Sequence, residues 1–279
     1  MTVANEKALR EILAFYQEAG VDAAVGETPV DRLAEQAAAP PAPTSSPMPE
    51  LTRPKSPATP PRQISARELG NNGAAPPPSP DAAIMAAREA ARTAADLDEL
   101  RAILDRFEGC ALRATASRLV FGRGNPQSRV MFVGEAPGYE EDKSGLPFVG
   151  RSGHLLDRMM AAIGLDETNA YIANIVPWRP PGNRTPTPQE SAICLPFITR
   201  QIELINADIL VCLGGPSAQT LLSIRDGITK SRGRWYKFQA GNREIRALAT
   251  FHPAFLLRSP LQKRLAWRDF LALRKALAQ

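Results

Sequence analysis

From about residue 80 onward, apolar positions along the chain alternate between two rhythms. Val130-Met-Phe-Val133, ended by Gly134, is a continuous apolar run, and so are residues 171–176 and 209–213. Runs of that length with no polar alternation predict strands covered on both faces of a parallel sheet. Between them, residues 153–163, 189–205 and 217–224 carry apolar side chains at helical spacing. Residues 234–238 and 244–250 are β-prone, and an amphipathic segment at 262–277 predicts a closing helix. Upstream, Ser79-Pro-Asp leads into an Ala-rich stretch at 82–92. It is followed by 96–107, where Leu97, Leu100, Ile103, Leu104 and Phe107 share one face. Strands alternating with helices predict a three-layer α/β/α sandwich with a mainly parallel central sheet.

The first 80 residues follow other rules. Ala8, Leu9, Ile12, Leu13, Phe15 and Tyr16 predict a short amphipathic helix within residues 1–24. Residues 25–80 read as a disordered linker: 13 of the 26 prolines lie between Pro40 and Pro80, where Val, Ile and Phe are nearly absent. Such a segment cannot bury enough apolar surface to offset its ordering entropy. Pro57-Ala-Thr-Pro60 fits a PxxP docking pattern, though so dense a proline tract produces that spacing by chance. The α/β domain is therefore placed at 81–279, leading helices included.

Charge follows the same division. The formal net charge of +5 conceals a net −4 for residues 1–98, with 9 basic and 13 acidic side chains, against +9 for residues 99–279. A basic excess confined to the folded part suits a polyanionic partner. No apolar run approaches the roughly 20 residues of a membrane span, and the N-terminus lacks the pattern of a secretory signal, so no membrane is expected and the cytoplasm is. Cys110, Cys194 and Cys212 are too few for a disulfide scaffold.

Chemistry in an open α/β sheet collects outside the carboxyl ends of the strands. Three loops there stand out. The first is Gly134-Glu-Ala-Pro-Gly-Tyr-Glu-Glu-Asp142, continued by Gly145-Leu-Pro-Phe-Val-Gly-Arg-Ser-Gly153. Its glycines allow close backbone approach, and Gly153 precedes a helix whose free N–H groups suit an anion, but no P-loop Lys follows. The second, from Asn174 to Pro186, opens on an Asn that can offer a donor and an acceptor to a planar amide edge, or simply satisfy a turn. The third, Thr250-Phe-His-Pro-Ala-Phe-Leu-Leu-Arg258, holds one of two histidines. Its apolar run reads either as a wedge for a base stack or as packing against the last helix.

Together and in this order, GEAPG with PFVGRSG, the Asn of YIANIV followed by RPPGNRTPTP, and HPAFLLR resemble the uracil-DNA glycosylase superfamily, nearest its family-four branch. The resemblance covers roughly residues 108–275. It implies that Phe148 stacks on an extruded uracil, with Gly134 and Ala136 lining the base pocket, and that Asn174 reads the Watson–Crick edge. It further implies that His252 hydrogen-bonds the uracil carbonyl as charge builds on the leaving base, and that Glu135 and Glu141 orient water or stabilise the sugar cation. Leu256, Leu257 and Arg258 would form the wedge, with Arg184 and Gly153 as further DNA contacts. This agrees with the chemistry of an N-glycosidic bond, which asks for carboxylate on the sugar side and donors on the base side.

The sequence departs from family four where that branch carries four cysteines around an iron–sulfur cluster. Cys110 and Cys194 match two of the positions, but Arg113 and Trp178 occupy the others, so no metal and no cofactor are expected. No His lies in Asn183-Arg184-Thr185, where a branch that traps uracil-DNA covalently carries one. The leading expectation is a monomeric, monofunctional uracil-DNA glycosylase acting on single- or double-stranded DNA. Its N-terminal tail is a candidate tether to a repair or replication protein. The alternative is a non-catalytic uracil-DNA or DNA-binding module, and a nucleotide-phosphate enzyme ranks third.

Overall fold

A computed structural model describes residues 79–279; the N-terminal helix and linker expected for 1–80 lie, but for the last two positions, outside the described residues. Helix α1 (Pro80–Thr93) begins where Ser79 Oγ accepts from the Ala82 N–H at 3.3 Å, with Pro80 in the first turn. Helix α2 (Leu97–Arg106) is capped by Asp96, whose carboxylate accepts from the Glu99 N–H at 2.9 Å. A short α3 (Leu112–Thr115) follows. The sheet then develops as β1 (Arg123–Gly124), β2 (Val130–Gly134), β3 (Tyr171–Asn174), β4 (Ile209–Leu213), β5 (Trp235–Ala240) and β6 (Arg243–Thr250). Between these run α4 (Tyr139–Ser144), α5 (Arg151–Ala161), α6 (Pro188–Ile205), α7 (Gly215–Leu222) and α8 (Ile228–Ser231). After β6 come α9 (Pro253–Arg258) and α10 (Lys263–Leu277).

The spatial order is β1-β3-β2-β4-β6-β5, with β3, β2, β4 and β6 parallel and the two edge strands antiparallel. Alternate residues of each strand serve opposite faces, as the pleat requires. Met131 and Val133 face a core built with α1, α2, α6 and α7, whereas Val130 and Phe132 face one built with α5 and α10. Helices therefore cover both faces of a mainly parallel sheet, giving the expected three layers. The register sets Gly134 beside Asn174, and Leu213 beside Thr250, so four parallel strands deliver their loops to one edge.

Two details go beyond what the sequence specified. Residues 235–240 and 243–250 form an antiparallel hairpin that closes one edge of the sheet. Strand β1 has no apolar run to announce it: two residues pair with Ile172 and Tyr171 at the opposite edge.

Candidate functional site

The four loops enclose a cleft of about 580 Å³. Glu135, Ala136 and Phe148 come from the segment after β2, Asn174 ends β3, Gly214–Pro216 follow β4, and Phe251 and His252 follow β6. The cleft thus brings together most of the residues singled out in the sequence.

At its centre the geometry is tight. The rings of Phe148 and His252 lie 5.5 Å apart at 29°, close to parallel. Asn174 is only 5% exposed, and its Oδ1 is buried with no hydrogen-bond partner. A buried acceptor left unpaired costs roughly 1–3 kcal/mol, which a donor arriving in the cleft recovers. Gly134 makes room for this arrangement: a Cβ there would sit 2.5 Å from Asn174 Oδ1 and 2.6 Å from Phe148 Cζ.

His252 is the N-cap of α9, and its Nδ1 accepts from the Ala254 N–H at 3.1 Å. A ring that accepts at Nδ1 carries its proton at Nε2 and acts there as a neutral donor. Burial pushes its pKa down to about 4, the positive charge of Arg258 adds to the depression, and Glu141 opposes it. The strand leading into His252 is anchored from below. Thr250 Oγ1 donates to Asp269 Oδ2 at 2.7 Å, Arg232 pairs with the same buried carboxylate, and the Arg232 guanidinium lies over the Phe251 ring.

The two carboxylates separate into different roles. Glu135 lines the cleft, and desolvation raises its pKa while a hydrogen bond with Thr185 lowers it. Glu141 is 7% exposed and its oxygens are committed to the backbone. Oε2 accepts from the Gly138 N–H at 3.0 Å, and Oε1 from the Val149 and Gly150 N–H groups at 3.1 and 3.0 Å. It joins the two halves of the first loop while also lining the cleft, so its carboxylate is held in place by the backbone. Asp142 is spent likewise, accepting from Ser117 and Arg118 N–H groups at 2.8 and 3.3 Å.

The structure places the expected DNA contacts differently from one another. Leu256 is fully buried with Phe251 and Ala266, because α9 turns it inward; only half-buried Leu257 and exposed Arg258 remain at the surface. Gly153 lies in the first turn of α5 and is buried, and the Phe148 carbonyl fills the space a side chain there would need. Arg184 does line the cleft, but it makes a two-pronged ion pair with Glu190 at 2.6 and 2.8 Å.

Residues 121–271 match the family described as the uracil DNA glycosylase superfamily. The chain is 46% identical over 154 residues to the type-4 uracil-DNA glycosylase of Thermotoga maritima, an alignment covering 54% of this chain and 77% of that one. It is 40% identical to the type-4 enzyme of Archaeoglobus fulgidus (54% and 78% covered) and 37% identical to that of Saccharolobus solfataricus (65% and 88% covered). The chain belongs to the uracil DNA glycosylase superfamily.

For a member of the superfamily's family-four branch, the region of Cys110 and Cys194 is the one to test against an iron–sulfur cluster. The two thiols adjoin, each altering the other's titration, with Cys110 lowered and Cys194 raised. The other two positions offer no ligand. The Arg113 guanidinium donates to the Asp105 carbonyl at 2.7 and 3.0 Å, and Trp178 is 2% exposed within the apolar core. Among the described residues no three His, Cys, Asp or Glu side chains gather where a metal ion would be held. This donor set does not fit a four-cysteine cluster. Nor is any described helix long and apolar enough to cross a membrane.

Sequence reasoning missed one wall of this glycosylase-family cleft. Gly214-Gly215-Pro216 directly follows the buried run 209–213, the place where such a loop belongs. A Gly-Gly-Pro at a strand's carboxyl end was the available signal.

Proposed function

We propose that this chain is a uracil-DNA glycosylase that extrudes uracil from DNA and hydrolyses its N-glycosidic bond, leaving an abasic site in a repair pathway. The observation that carries this reading is the unpaired, buried Asn174 Oδ1 beside the stacked Phe148 and His252 rings.

A uracil entering the cleft stacks on Phe148. Its N3–H donates to Asn174 Oδ1, and the Asn174 amide donates to the neighbouring carbonyl. Cytosine lacks the N3 proton and is refused, since two acceptors would then face one another. As the bond to the sugar lengthens, the electron pair moves onto the base, and the Nε2–H of neutral His252 donates to the uracil carbonyl that gains charge. A neutral donor stabilises that oxyanion without first giving up a proton, and burial strengthens the interaction. Glu135 faces the sugar side, where its carboxylate stabilises the oxocarbenium-like cation and orients the water that attacks it. Arg258 at the cleft, with half-buried Leu257 before it in the chain, holds the opened strand, which offsets an unstacking cost of a few kcal/mol. Among the described residues no lysine lines the cleft, so hydrolysis is expected without strand cleavage.

The test is incubation of a uracil-containing oligonucleotide with the protein, followed by alkali. Cleaved product supports the enzyme; a retarded but intact strand supports the binding module instead. His252→Ala should lower the single-turnover rate about 100-fold or more, the loss typical of an oxyanion donor, with much less change in DNA affinity. An unchanged rate would remove His252 from the mechanism.

A further inference from the structure

Phe148 holds an unusual backbone. Its φ is +56°, in the left-handed region that bulky side chains seldom enter, and such a conformer persists only where its surroundings impose it. The sequence contains no glycine at this position to relieve the strain, and the ring that would stack on uracil is fixed by this backbone. What imposes it comes from two sides. The close approach of Gly153 receives the Phe148 carbonyl. That carbonyl also accepts from Arg123 Nη2 at 3.1 Å.

Arg123 is a distant residue with no contact to the cleft. It sits on the two-residue edge strand β1, and its side chain is only 8% exposed. Nη2 also donates to Asp157 Oδ1 at 2.6 Å, and Nη1 pairs with Glu167. Its Nε is buried without a partner. A buried cation held by two carboxylates is oriented as a fork, and one prong of that fork is spent on the carbonyl of the strained residue. Asp157 lies on α5, the helix that also carries Gly153, so the same guanidinium ties both restraints together.

We propose that Arg123 is a positioning residue for excision, holding Phe148 in the left-handed conformer that aligns its ring opposite His252. This rests on the reading of Phe148 as the uracil platform. Without the fork, the 145–150 segment relaxes toward ordinary backbone angles and the ring leaves its place beside Asn174 and His252. Arg123 touches neither base nor sugar, so its entire effect passes through Phe148.

The experiment is a double-mutant cycle of R123M and F148A on the full-length protein, read as single-turnover excision from a single-stranded uracil oligonucleotide. Melting temperature is recorded alongside. R123M is expected to lower kcat/KM about tenfold, in keeping with loss of one charge-assisted hydrogen bond, and to lower it by less than about twofold when added to F148A. If F148A itself keeps the original rate, the platform reading fails and this inference with it. If F148A is slow but R123M is not, the platform stands and the positioning role falls. If R123M costs the same tenfold in both backgrounds, Arg123 supports the fold in general and the proposal is overturned. Should R123M not fold, R123K keeps the buried charge but lacks the fork, and is expected to lose severalfold; an R123K rate equal to that of the original protein overturns the proposal equally.

Discussion

A single methyl group at Gly134 tests the cleft most sharply. Gly134 ends β2 in register with Asn174, and a Cβ built there would lie 2.5 Å from Asn174 Oδ1 and 2.6 Å from Phe148 Cζ. Both distances are shorter than any ordinary van der Waals contact, so G134A must displace the amide, the ring or both. The backbone cannot yield easily, because β2 is paired on both sides. The side chains can, because both border open space in the cleft. Overpacking of this size costs about 1–3 kcal/mol, and here that strain is relieved by moving the two groups that would read and stack on uracil. We expect kcat/KM for uracil excision to fall by about 5- to 150-fold, the equivalent of that range. The melting temperature should fall little, because the displaced groups have somewhere to go. The assay is single-turnover cleavage of a uracil oligonucleotide, compared with G227A, where an added Cβ meets nothing within 4 Å. Full activity in G134A would refute the placement of the base between Asn174 and Phe148.

Two further outcomes follow from the same site. E141Q replaces an acceptor by an amide that faces backbone N–H donors, and the first loop should loosen: about 1–3 kcal/mol of stability is lost, or some 2–4 °C in Tm for each kcal/mol, measured by thermal melting together with slower excision. For pH, the His252 pKa is depressed from 6.5 to about 4, so the neutral ring persists at every pH above that value. Between those two values the unfolded chain binds the proton and the folded one does not, so stability falls as pH drops from 6.5 toward 4. In the pH–rate profile no loss assignable to His252 should be seen until pH approaches 4; a limb near 6.5 that H252Q abolishes would show the charged ring to be the one at work.

The parts of this protein legible in its sequence are those where local pattern and tertiary environment agree. Val130-Met-Phe-Val133 is apolar on both faces because both faces are covered, and the structure begins and ends the strand within a residue of that run. The positions of Asn174 and His252 were legible for a similar reason, since Asn174 ends β3 and His252 follows the end of β6 by two residues, where a polar loop must start. What spacing could not disclose was competition for a side chain. Glu141 looks like a free acid in a Gly-rich loop, and only the fold brings the Val149 and Gly150 N–H groups to it. Leu256 and Leu257 are adjacent and chemically alike, yet the helix turns the first inward and leaves the second half-buried at the surface. Arg123 gave no signal at all, since its meaning lies in the backbone angle of a residue 25 positions away.

The same competition reshapes the electrostatic argument for DNA. A net +9 over residues 99–279 would suggest abundant phosphate ligands, but many arginines are already engaged. Arg123, Arg129, Arg184, Arg200, Arg232 and Arg243 all pair with carboxylates. Arg184 is the instructive case: its partner Glu190 also caps α6 through the Thr187 N–H, so the guanidinium is held in a fixed direction beside the cleft. A phosphate arriving there must share the cation with that carboxylate, which favours placement over strength. Arg258 is different, being exposed at the cleft with no ion pair among the described residues. Its charge also depresses the His252 pKa, though less than burial does. Phosphate binding at Arg258 would cancel part of that smaller contribution, while closing of DNA over the cleft deepens the larger one. On the proposed reading, a phosphate at Arg258 would thus remove the smaller cause of the depression and leave burial, the larger, to hold His252 neutral.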